Sequence, residues 1–190
     1  QTASSLCKPL RHNCEVTVVG NLRAVKDPFR TAMASRLLPD GSRIVVTHIG
    51  AALTPSMNIR ANREEIINRR YTWRGSLTRH LTLKAIARSR LLVVSSKMEG
   101  GANVISEAIV AGTPVLSTHI SGSLGMLGKD YPGYFPIGDT RVLAALLLQA
   151  EVDTNFYKQL HNHCQKRATM FHPDKEQKSL KQLLAGLGLE

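Results

Sequence analysis

Aromatic side chains are scarce in this 190-residue chain, at 5% with a single tryptophan, and they do not alternate with the basic residues. That argues against a stacking platform for RNA bases. Cysteine is also sparse. Cys7, Cys14 and Cys164 are odd in number and form no C-x-x-C, which excludes a disulfide framework and a zinc knuckle and fits a reducing cytoplasm. No apolar run is long enough to span a membrane, and the start carries no secretory pattern. Acidic residues are outnumbered 14 to 25 by Lys and Arg, giving a net charge of +11. Such a surface suits an anionic small substrate, an anionic membrane or nucleic acid. Nor does the first predicted strand lead into G-x-G-x-x-G. VVGNLRAVKDP offers one glycine there, which excludes a dinucleotide oxidoreductase of the usual type.

Hydrophobic residues, at 43%, are sufficient for an ordinary globular core. Residues 1–14 read as an extended lead-in and 15–190 as one domain. Within it, Ser95 to Leu116 organises the rest. The apolar run Leu91–Val94 ends there in a Gly100–Gly101 corner. Val104, Ile105, Ala108 and Ile109 then repeat at helical spacing, Gly112 stops the helix, and Pro114 begins a further strand. Strand, tight loop, helix, strand is a βαβ unit. Its helix N-terminus leaves backbone amides unpaired beside a positive dipole end, a setting that favours an anion.

The flanking segments repeat the alternation. Strands are predicted at 15–19, 43–49, 71–74, 91–95 and 114–117. Helices are predicted at 29–38, 58–67, 77–87, after Asn103, and at 141–151, 155–170 and 174–187. Asp27 is expected to cap the first helix and Pro28 to open it. Ile120–Asp139 reads as a glycine-rich loop. The fold class is α/β, a Rossmann-like parallel sheet with helices on both faces. Ligands of such sheets bind beyond the carboxyl ends of the strands, where Gly20, Gly50, Gly75 and the Gly100–Gly101 corner all fall.

Two carboxylates flank that corner. Glu107 lies about one turn into the helix, roughly 6 Å along its axis. Glu99 precedes the glycines. An ionised carboxylate only accepts hydrogen bonds, so sugar and ribose hydroxyls are its natural partners. Arg23 and Lys26, in the loop after the first strand, are suited to a diphosphate. His48 ends a strand and reads as a structural histidine. His161, His163 and His172 have no acidic companion at ligand spacing, so no metal site is assigned.

Glu99 and Glu107 at E-x7-E spacing, followed by EAIVAGTPV, resemble glycosyltransferase family 4, the group 1 transferases of GT-B fold. VVGNLRAVKDP is similar to the family's V-G-x-L-x-x-x-K turn. The resemblance implies a hexosyl-type transfer from a nucleotide-diphosphate sugar, UDP-linked, with no further cofactor. Arg23, Lys26 and Glu99 would then be catalytic. Gly20, Asn21, Arg74, Gly100, Gly101, Ala102, Asn103, Val104 and Glu107 would bind the donor. Glu107 would hold the ribose, Glu99 the donor sugar, and Arg74 would sit beside the base. Asn21 stands where the family often has Arg, so Arg23 is expected to supply that cation. HIGAAL, YTWRG and SSKMEGGANVISEA are similar to the selenosugar synthase branch, which implies selenophosphate as acceptor. In a GT-B enzyme this chain would be the donor-binding half. Its partner would be an acceptor domain not contained here, and alone it would be inactive. The remaining charge is expected to face acidic lipid or that domain. The alternative is a basic α/β module for RNA or an anionic surface.

Overall fold

The sequence LLVV is buried at every position and forms the middle of a parallel sheet, where both faces must be apolar. The computed structural model describes residues 13–100 and 103–169. Its strands are β1 (Cys14–Val19), β2 (Ile44–Ile49), β3 (Tyr71–Trp73), β4 (Leu91–Val94), β5 (Val115–Thr118) and β6 (Tyr134–Phe135). All pair in parallel, in the order β3-β2-β1-β4-β5-β6. The helices are α1 (Arg30–Ser35), α2 (Pro55–Ile67), α3 (Arg79–Arg88), α4 (Asn103–Val110), α5 (Ser121–Leu127), α6 (Thr140–Val152) and α7 (Thr154–Ala168). The expected Rossmann-like α/β class is therefore what forms. The core joins Val16, Val18, Leu92, Val93, Val115 and Leu116 of the sheet to Ile105 and Ile109 of α4 and Leu143 and Leu147 of α6.

The strand order reverses between β1 and β4, which pair with Val16 opposite Leu91 and Val18 opposite Val93. Ligand crevices of such sheets open where the order reverses. Helix starts follow local chemistry. Thr54 caps α2 by accepting the Met57 amide at 3.3 Å, with Pro55 first in the helix. That starts α2 three residues before the predicted Asn58. Asp139 and Asp153 cap α6 and α7 in the same way.

Three expectations are corrected. Cys14 is not lead-in: it already belongs to β1, paired with Ile44. Asp27 does not cap α1. It ends a short 3-10 turn (Ala24–Lys26) with φ of 44°, and its carboxylate takes Arg30 Nε at 2.8 Å. Helix α1 consequently begins at Arg30 and ends at Ser35, short of the predicted Leu38. Finally, Ile120–Asp139 is not simply a loop. It contains α5 and β6. Its glycines and serines are poor helix formers, yet Leu127 and Phe135 are buried and Ser123 Oγ bonds Ser117 Oγ at 2.8 Å. Tertiary burial outweighs propensity here. The predicted helix 174–187 lies outside the described residues. Among the described residues no helix is long and apolar enough to cross a membrane.

Gly50 ends β2 at φ 155°, and a Cβ there would lie 2.0 Å from Gly20 O. At Gly41 a Cβ would meet nothing within 4 Å. Gly50→Ala is expected to cost at least about 2 kcal/mol, and Gly41→Ala within about 0.5 kcal/mol of zero, read from urea midpoints at constant slope.

Candidate functional site

The loops after β1 and β4 meet at the point where the strand order reverses. The β1 loop is anchored from below. Leu22 is fully buried against Phe29 and Ala61, and its amide donates to Ala51 O at 2.8 Å. Asn21 Oδ1 accepts the Ala51 amide at 3.0 Å, so its side chain holds the loop together. Arg23 stands exposed at the outer side of the turn. Lys26 points the other way, with Nζ on Glu99 Oε1. Ser96 Oγ donates to that same carboxylate oxygen at 2.7 Å. The backbone joins in. Lys97 N donates to Val25 O at 2.8 Å, and Ser95 Oγ donates to Lys26 O and Asp27 O at 3.1 and 3.0 Å. Lys26 and Glu99 side chains are 24% and 11% exposed, so the pair is half withdrawn from water. The pair lines a narrow cleft together with Gly20, His48, Val93, Ser96 and Val104, with about 20 Å³ of free volume. That suffices for about one water molecule.

Glu107 is half-buried on α4, where Arg79 Nη2 reaches its Oε1 at 3.5 Å. Arg79 is 81% exposed, and a long, exposed contact of this kind contributes little. Gly100 and Asn103 are exposed and Val104 is half-buried. Gly101 and Ala102 lie outside the described residues. Arg74 follows β3, exposed, with its amide on His48 O at 2.9 Å. The structure thus brings Lys26, Glu99, Gly20 and Val104 to one cleft. Glu107, Arg74 and Arg23 stand around it on separate elements.

Three residues shape this rim without having been candidates. His48 is buried, with Nε2 3.0 Å from Gly20 O and Nδ1 3.0 Å from Tyr71 Oη. A carbonyl oxygen only accepts, so Nε2 carries the proton and Nδ1 accepts from the tyrosine. Burial pushes the imidazole down to about 4, partly offset by the Gly20 carbonyl. The residue is therefore neutral and structural. Ser96 is the second: it follows the apolar run directly, but nothing in a serine's position announces its carboxylate partner. Gly122 of α5 is the third. A Cβ there would sit 2.3 Å from Glu99 O and 3.2 Å from Glu99 Cβ. Only glycine lets α5 back onto Glu99, and no local pattern signals it.

A parallel sheet that reverses its order beside a helix N-terminus is a Rossmann-like α/β unit, the fold that makes up half of a GT-B glycosyltransferase. Residues 7–169 match the family described as glycosyl transferases group 1, and the chain belongs to that family. No curated protein matches it. Among solved structures it is similar to HepE from Anabaena in complex with UDP and glucose. The two are 18% identical with a TM-score of 0.78, over 92% of this chain and 49% of that one. Sucrose-phosphate synthase from Thermosynechococcus elongatus is 20% identical with a TM-score of 0.76, over 94% and 46%. These likenesses concern the fold. The chain spans about half the length of either structure.

His48 gives a pH signature. Its imidazole is held from an ordinary value of 6.5 down to about 4, so below pH 6.5 the unfolded chain binds the proton first. Stability should be full above pH 6.5 and fall as pH drops towards 4, by about 3 kcal/mol from this group. Urea midpoints measured for the parent and His48→Gln should diverge less as the pH falls. For α5, Gly122→Ala should lower the melting temperature, through a cost of at least about 2 kcal/mol. Gly125→Ala, where a Cβ meets nothing within 4 Å, should raise it through a gain of about 0.5–1 kcal/mol in helix propensity.

Proposed function

We propose that this chain is the donor-binding half of its group 1 transferase and takes a UDP-linked sugar at the crevice between β1 and β4. One observation carries the reading: the loops after those strands hold Lys26 and Glu99 in contact at the topological switch point. A diphosphate offered to this rim meets Lys26, Arg23 and the N-terminus of α4, three sources of positive potential. As the bond to the sugar breaks, charge grows on the diphosphate, and those groups stabilise it. Glu107 accepts from the ribose hydroxyls and Glu99 from the sugar. The similarity to HepE, solved with UDP and glucose, supports a uridine donor.

The finer reading is a hexosyl transfer in the cytoplasm with selenophosphate as acceptor. It rests on HIGAAL, YTWRG and SSKMEGGANVISEA. The acceptor would be held by a second domain, without which this half binds donor but transfers nothing.

The test is calorimetric titration with UDP and UDP-sugars. Glu107→Ala is expected to weaken UDP by at least about tenfold, the worth of one charge-assisted hydrogen bond. Its melting temperature should stay put, because the Arg79 contact is long and exposed. Uridine nucleotide binding indifferent to Glu107→Ala would overturn the assignment.

A further inference from the structure

Helix α2 presents a face that the fold does not use. Ile59, Ile66 and Ile67 are 68%, 84% and 54% exposed. Arg63 is exposed between them, and residues 59, 63, 66 and 67 share one side of a 3.6-residue helix. The inner stripe is different: Ala61, Glu64 and Asn68 are buried. Both acidic residues of α2 are engaged inward. Glu64 takes Asn68 Nδ2 at 3.1 Å and Arg36 Nε at 3.4 Å, and Glu65 accepts the Trp73 amide at 2.8 Å. The side that carries Ile59, Arg63, Ile66 and Ile67 therefore has no carboxylate from the helix to neutralise its arginine.

We propose that this face docks the chain on an anionic lipid surface. A helix lying flat with exposed branched apolar chains around Arg63 matches what such an interface offers, hydrocarbon beneath and phosphate around it. The net charge of +11 has the same sign. A second copy of the chain is a poor occupant. A two-fold contact centred on Ile66 would set Arg63 near its own mate. The missing half of a GT-B enzyme is poorly placed as well. Helix α2 runs from Thr54, just beyond the β2 end of the rim, to Ile67, just before β3 begins. Ile66 and Ile67 thus lie at the end of the sheet away from the candidate cleft, which a docked chain would leave open to solvent.

The experiment is flotation of the whole chain with phosphatidylcholine vesicles, with and without phosphatidylglycerol. Capture by the anionic vesicles alone is expected. Arg63→Glu and the double variant Ile66→Ser, Ile67→Ser should each reduce it by about tenfold. These side chains are exposed, so unchanged melting curves should confirm that the variants fold. Lys84→Glu with Arg88→Glu, exposed on α3, serves as the charge control and should change capture by less than about twofold. Failure to float with anionic vesicles overturns the proposal. So does a control that loses as much as the α2 variants, since that would mean diffuse cationic attraction. Retention of RNA without retention of vesicles overturns it too.

Discussion

The adjacency of β1 and β4 is the constraint from which the rest follows. These strands are far apart in the chain, with a helix-rich excursion through β2 and β3 between them. Once paired, they leave two loops facing each other at the sheet's end. Those loops are fastened by backbone, hydroxyl and charge together. Lys97 N reaches Val25 O, the buried hydroxyl of Ser95 reaches two carbonyls, and Lys26 meets Glu99. Buried polar groups must be partnered, and here the partners are drawn from the opposing loop. Joining the loops and satisfying their polar atoms are one event. In the proposed reading this has a chemical consequence. A diphosphate reaching Lys26 finds a carboxylate already there, so donor binding is an exchange of one anion for another.

The opposite end of the sheet is fastened by a buried carboxylate. Glu151, near the end of α6, is buried and accepts Ser42 Oγ and the Arg43 amide, both at 2.6 Å. Arg43 Nε approaches it at 3.5 Å. A buried carboxylate needs this degree of compensation. It ties α6 to the start of β2, as the Lys97 amide, the Ser95 hydroxyl and the Lys26–Glu99 pair tie the two loops of the opposite rim.

Much of this was legible in the residues. Leu91–Val94 announces a doubly covered strand, and Gly20, Gly50 and Gly75 mark strand ends on one rim. The Glu99–Glu107 spacing with EAIVAGTPV points to the family to which the chain belongs. Strand and helix limits differ by a few residues, as at α2, where Thr54 and Pro55 supply the cap that the hydrophobic pattern did not reveal. The segment 120–139 was misread because its composition is that of a loop, while burial of Leu127 and Phe135 decides its structure. The partners of His48 and the close seat of Gly122 were illegible for a common reason. Each joins residues distant in sequence, and neither periodicity nor propensity carries information about such meetings.

The two outermost strands are very short, with three residues in β3 and two in β6. An exposed strand edge is a row of unpaired amides and carbonyls on which another chain can build. Here each row is cut off almost as soon as it begins. Extension of the sheet from one molecule into the next is thereby disfavoured, and crowding alone gives little purchase for fibrous assembly. Among the described residues, durable association is therefore left to side chains rather than to shared backbone ladders.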